Sequence, residues 1–132
     1  MIGVDTNIVL RLFDRGEPAQ TAAAERLFAD ATNVDGFLLN PIVLVELAWT
    51  LDRTYKLDRE TIADHLDRIL QASEFVVPFV DEAVAAASRY RAGPADFADY
   101  FFAEINHALG CSTTVTFDRA AGKDERFTLL TV

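Results

Sequence analysis

The stretch IGVDTNIVLRLF, residues 2–13, decides the fold. Ile2, Gly3 and Val4 form a short run that stops at Asp5. From Thr6 to Phe13 the apolar residues Ile8, Val9, Leu12 and Phe13 recur at helical spacing. A run too short for a helix, then an acid, then an amphipathic segment reads as strand, turn, helix. The same alternation continues along the chain. Pro18 opens an alanine-rich helix near 18–31, with Leu27 and Phe28 facing inward. Residues 36–40, GFLLN, read as a second strand, and Pro41 opens a helix to about Tyr55. Asp58 caps DRETIADHLDRILQA, whose apolar stripe is Ile62, Leu66, Ile69 and Leu70.

Phe75–Val77 is a third strand, followed by an alanine-rich helix from Asp81 to about Arg91. Gly93-Pro94 breaks the chain. A helix then runs from Asp96 to Leu109 and ends at Gly110 as a C-cap. Ser112–Phe117 and Phe127–Val132 are the fourth and fifth strands. Strands alternating with helices predict an α/β fold with a parallel sheet covered on both faces. The 132 residues fit one domain, 1–132, with no linker, repeat or low-complexity segment.

Hydrophobic residues make up 51% of the chain, so a core is available. No apolar run approaches the roughly 20 residues of a membrane helix. The N-terminus lacks a basic region and does not read as a signal peptide. The single Cys111 permits neither an internal disulfide nor a cysteine zinc cage. The expected location is cytoplasmic. The net charge of −9 speaks against general nucleic-acid affinity. It does not speak against a nuclease whose acids hold cations, because the ions then set the local field.

In a parallel sheet, ligands gather beyond the carboxyl ends of the strands, beside the point where strand order reverses. Asp5 ends the first strand and Asp118, in TTVTFDRA, ends the fourth. Alone, Asp5 reads as a helix N-cap and Asp118 as a turn former. Strand alternation puts Thr116 on the same side as Asp118. Glu46, in NPIVLVELAWTL, is surrounded by apolar neighbours on every helical face. It is therefore expected to be buried, with either a functional role or an ion pair to Arg53 or Arg11. Asp96 and Asp99 share one helix face at i, i+3. Capping accounts well for Asp96 and less well for Asp99, since Glu or Gln is the usual reach-back residue.

Unit charges 4 Å apart repel by roughly 4 kcal/mol at an effective dielectric near 20. Several acids at one sheet edge therefore call for a cation. An oxygen-only ligand set suits Mg²⁺, or Mn²⁺, over Zn²⁺. His65 and His107 stand alone, Glu104 faces away from Asp99 toward solvent or an ion pair, and the aromatic cluster at 97–102 reads as core or subunit contact. No other cofactor-binding motif is present.

VDTN at the start, VEL in the apolar helix, DFAD and TFDRA near the end, in this order and spacing, resemble the PIN-domain ribonucleases. Within them the chain resembles the VapC-like toxins of toxin–antitoxin pairs, over essentially its whole length. The resemblance implies a three-layer α/β/α domain whose central parallel sheet has order 3-2-1-4-5, making the first and fourth strands neighbours. It implies that Asp5, Glu46, Asp99 and Asp118 are catalytic, and that Asp5, Asp99, Asp118 and Asp96 hold one or two Mg²⁺ ions. Thr6 or Asn7, and Thr116, match supporting polar positions. The implied activity is hydrolysis of RNA by metal-activated water, with Glu46 orienting or deprotonating it. The implied partners are RNA, a small antitoxin and a second copy of the chain, with higher assembly when the antitoxin is bound. An antitoxin groove is expected near Val9, Phe13, Leu47 and Leu51, and Arg11, Arg15, Arg53, Arg119 and Lys123 are candidate phosphate contacts.

Two phosphate-handling alternatives fail on residues. A receiver domain wants paired acids after the first strand and a lysine after the fifth, whereas the only lysines are Lys56 and Lys123. A haloacid-dehalogenase-like phosphatase wants D-x-D where this chain has D-T-N. A non-catalytic metal-binding PIN-like interaction module is the remaining alternative.

Overall fold

The computed structural model describes residues 1–132. Short parallel strands alternate with helices, as expected. In chain order they are β1 (Ile2–Gly3), α1 (Thr6–Leu10), α2 (Pro18–Phe28), β2 (Phe37–Leu38), α3 (Pro41–Arg53), α4 (Arg59–Gln71), β3 (Phe75–Val76), α5 (Val80–Ala92), α6 (Phe97–Ala108), β4 (Thr114–Thr116) and β5 (Phe127–Leu129). A 3₁₀ turn at Ala121–Lys123 lies between β4 and β5. No helix is long and apolar enough to cross a membrane.

The chain forms two compact units, Met1–Leu47 with Ala72–Pro78, and Ala48–Gln71 with Phe79–Val132. In the first, β1, β2 and β3 pair in parallel, with Ile2 opposite Phe37 and Phe37 opposite Phe75. Phe28, at the end of α2, meets Phe37 edge-on at 5.1 Å and Phe75 at 5.8 Å. These rings are why an alanine-rich helix stays on this sheet: its small residues allow close approach and one aromatic anchors it. In the second unit β4 and β5 pair in parallel, with Thr114 opposite Phe127. Ala83, Ala86 and Ala87 of α5 are buried, as are Phe97, Tyr100 and Phe101 of α6. Of the expected order 3-2-1-4-5, the ladder 3-2-1 is present in the first unit and the ladder 4-5 in the second. The strands are also shorter than their apolar runs. β1 ends at Gly3 because Asp5 already begins α1, and β2 ends at Leu38 because Asn40 accepts a hydrogen bond from the Ile42 amide at 2.8 Å and so starts α3.

Gly36 fixes the register of the first sheet. Its carbonyl accepts from Ile2 N at 3.2 Å and from Asn33 Nδ2 at 2.9 Å. Its φ is +83°, and a Cβ there would stand 2.8 Å from the Glu74 carbonyl oxygen. That carbonyl also accepts from Phe37 N at 2.8 Å. Gly36→Ala is therefore expected to cost about 2 kcal/mol or more, from left-handed strain and the displaced ladder. Urea unfolding checks this; a midpoint equal to wild type would show that the turn relaxes freely.

Candidate functional site

The first unit carries Asp5, Thr6, Asn7 and Glu46. Asp5 precedes α1 in extended conformation and its Oδ1 accepts from Thr6 N at 2.6 Å, so the capping role is real. Thr6 is buried and its hydroxyl donates to Glu46 Oε2 at 3.4 Å. One residue thus touches both acids, through its amide on one side and its hydroxyl on the other. Of the two residues expected to support the site, Thr6 is the one that contacts the acids; Asn7 is exposed and lines a groove with Ile8 and Arg11.

The expectation for Glu46 needs correction. It is exposed, not buried. Ile42 and Trp49, on the same face of α3, are 70% and 57% exposed, so the apolar run has an open side. Neither expected ion pair forms: Arg53 pairs with Asp52 at 3.5 Å, and Arg11 donates to the Arg15 carbonyl at 3.5 Å. Of the residues near which the antitoxin groove is expected, Phe13 is half-buried. Val9 and Leu47 are fully buried and Leu51 is 1% exposed, so these side chains are core.

The second unit carries Asp96, Asp99, Thr116 and Asp118. Asp96 is the N-cap of α6, and its amide donates to Asp99 Oδ2 at 3.2 Å. Asp99 therefore does reach back, despite being one methylene shorter than the usual residue. Thr116 Oγ1 accepts from Asp118 N at 3.0 Å, and Asp118 Oδ1 accepts from Ala121 N at 3.0 Å. Asp118 is thus a turn former, and Thr116 sets where the turn begins. Asp99 is half-buried. Burial pushes its carboxyl above the usual range; the hydrogen bond from the Asp96 amide opposes this, and the negative charges of Asp96 and Asp118 add to it. Both neighbours bear on Asp99, as like charges at one place must.

No three His, Cys, Asp or Glu side chains converge at coordinating distance. The donor chemistry still fits a hard divalent cation. All the candidates are carboxylates, and a cation beside Asp99 would offset the burial and the like charges that together raise it.

Other expectations resolve simply. Glu104 is buried and ion-paired, with Arg89 Nε at 3.0 Å and Arg126 Nε at 3.2 Å. His107 is exposed. Phe97, Tyr100 and Phe101 are core, while Phe102 is 44% exposed. Of the candidate phosphate contacts, Arg15 is taken by Glu25 at 3.1 Å, whereas Arg119 and Lys123 are exposed on the connection that carries Asp118.

Two arginines escaped the sequence reading. Arg89 binds Glu104, Asp124 and Glu125, and Arg59 binds three main-chain carbonyls before α6. Arg59 did leave a signal. It is the first residue of α4, where a positive charge opposes the helix dipole and so calls for a reason. Arg89 sits in the last turn of α5, where cations are ordinary, and left none.

The family model for the PIN domain matches residues 2–123. No curated protein matches the chain.

Proposed function

The chain belongs to the PIN domain family, a family of generally metal-dependent nucleases, and on that premise we propose that it is an Mg²⁺-dependent endoribonuclease, the toxin of a toxin–antitoxin pair. The observation that carries the reading is the half-buried Asp99 carboxyl, which faces the negative charges of both Asp96 and Asp118. A fold that keeps such an arrangement without a nearby arginine pairing to Asp99 is suited to a cation. Asp5, Asp99, Asp118 and Asp96 are proposed to hold it, with Mn²⁺ as the alternative ion. A bound divalent cation supplies an acidified water and neutralises charge on the attacked phosphate. Glu46, steadied by the Thr6 hydroxyl, orients that water or takes its proton. Thr116 holds Asp118 at the head of its turn. Arg119 and Lys123, exposed and in no ion pair, contact RNA phosphates.

The partners proposed with this activity are an RNA substrate, a small antitoxin and a second copy of the chain, with further assembly in the antitoxin complex, all in the cytoplasm. The antitoxin is proposed to occupy the groove of about 540 Å³ between α1 and α2, lined by Ile8, Arg11, Gln20, Ala24 and Leu27 among others.

The test is total cellular RNA incubated with the antitoxin-free protein, in Mg²⁺ or in EDTA. Discrete fragments that appear only with Mg²⁺ are expected. Intact RNA in every condition, from folded protein that binds Mg²⁺, would sink the ribonuclease reading in favour of the non-catalytic interaction module.

A further inference from the structure

We infer that Arg59 is a positioning residue for Asp99, acting through the single peptide group between Ala95 and Asp96. Its link to cation binding rests on the reading above; its link to Asp99 does not. Arg59 Nη1 donates to the Tyr90 carbonyl at 3.1 Å and to the Ala95 carbonyl at 2.7 Å. Nη2 donates to the Pro94 carbonyl at 2.6 Å. The guanidinium carbon lies 4.6 Å from the centre of the Tyr90 ring. One side chain thus gathers the whole connection from α5 to α6. Gly93, with φ at +75°, supplies the left-handed backbone this connection takes beside the Arg59 side chain.

The Ala95 carbonyl and the Asp96 N–H belong to one planar group and point in opposite directions. The carbonyl accepts from Arg59, and the N–H donates to Asp99 Oδ2 at 3.2 Å. A cation on the carbonyl side polarises the peptide and makes its N–H a better donor to a carboxylate. It also fixes the rotation of the plane, and so the place of the Asp99 carboxyl. The preceding amide is fixed as well: Ala95 N donates to the buried Tyr100 hydroxyl at 3.1 Å. Lysine cannot replace this fork, because a single ammonium does not span the same carbonyls in one plane.

An arginine that merely fastened the loop would contribute stability and nothing else. The two roles separate in a measurement on the full chain with Arg59→Gln and Arg59→Lys. Amide NMR without metal reads the Asp96 N–H, and Mn²⁺ titration calorimetry reads the site. In both variants the Asp96 amide proton is expected to move upfield and to exchange faster, and Mn²⁺ affinity to fall about tenfold, the usual loss when a group supporting a metal ligand is removed. Gln should show the larger change; if it does not fold, Lys still reports. An unmoved Asp96 amide in a folded variant overturns the inference. So does a moved amide with wild-type Mn²⁺ affinity, as to its effect on the site. A wild-type chain that binds no Mn²⁺, while its Asp96 amide responds to Arg59, overturns the metal reading and leaves the Arg59–Asp99 link standing.

Discussion

If the proposed activity holds, Asp99→Asn is expected to abolish RNA cleavage and to raise the melting temperature at neutral pH. The loss of rate is expected to be on the order of 10³-fold, the size seen when one preorganised electrostatic group is removed. The gain in stability follows from the raised carboxyl. Burial, together with the Asp96 and Asp118 charges, holds the Asp99 pKa above its ordinary value of 3.8. The folded state then prefers the neutral acid, so this group's favourable contribution is full below pH 3.8 and is lost as pH rises through the folded pKa. At neutral pH the wild type bears the penalty and the asparagine does not. Asp99 keeps some contact with solvent, so the gain should be modest, about 2–4 °C. It should shrink to nothing as the pH is lowered below the ordinary carboxylate value. Saturating Mg²⁺ should reverse the order. At a hundredfold excess over its Kd it stabilises wild type by about 2.7 kcal/mol and leaves the variant where it was. Calorimetric scans across pH, with and without Mg²⁺, measure all of this. An asparagine variant that cuts RNA at the wild-type rate removes Asp99 from the site, and one that melts lower at neutral pH means its carboxylate is stabilised by something other than a cation.

The local roles of the candidate acids were legible because they leave marks: Asp5 and Asp96 stand before helices, and Asp118 stands after a strand. The helices were legible for the same reason. The Asp58 side chain accepts from Thr61 N at 2.8 Å, as its place before an apolar stripe predicts. What failed were inferences about surroundings. Glu46 reads as buried because its neighbours are apolar, yet Ile42 and Trp49 beside it also face outward. Composition around a helix says how much could be covered and not which side is. Strand length failed because a ladder needs partners: five residues of GFLLN yield a two-residue strand once Asn40 is committed to α3. Arg59's place at the start of α4 marks it as unusual, but its partners stayed hidden because they are main-chain carbonyls, which every residue has and no sequence pattern marks.

Removing Arg89 should strongly destabilise the second unit. Its guanidinium lies where α5, α6 and the approach to β5 meet. Nε pairs with Glu104 at 3.0 Å, Nη1 with Asp124 at 2.5 Å and Nη2 with Glu125 at 2.5 Å. The Glu125 pair is the least of these, because that carboxylate is 72% exposed and screened by water. The Glu104 and Asp124 side chains are only 8% and 11% exposed, so they cannot turn to solvent when the cation goes. Arg89→Met leaves Glu104 to Arg126 Nε alone, at 3.2 Å, and leaves Asp124 with the Arg126 amide at 2.9 Å. Breaking a buried ion pair by removing one partner costs about 3–5 kcal/mol, or a fall of about 10 °C or more in melting temperature. The cost lies in the stranded acid, not in the bond, so the double variant Arg89→Met with Glu104→Leu should recover much of it. Arg89→Lys should fall between, since one ammonium serves one acid well and the others poorly. The consequence for the site runs through the turn. Asp124 N donates to the Ala121 carbonyl at 3.0 Å, and Ala121 N donates to Asp118 Oδ1 at 3.0 Å, so loosening Asp124 loosens the carboxylate at the head of that turn. Thermal unfolding of the three variants decides the matter. If Arg89→Met melts within about 2 °C of wild type, Arg126 alone satisfies Glu104; if the double variant melts no higher than the single one, the guanidinium contributes packing and not charge.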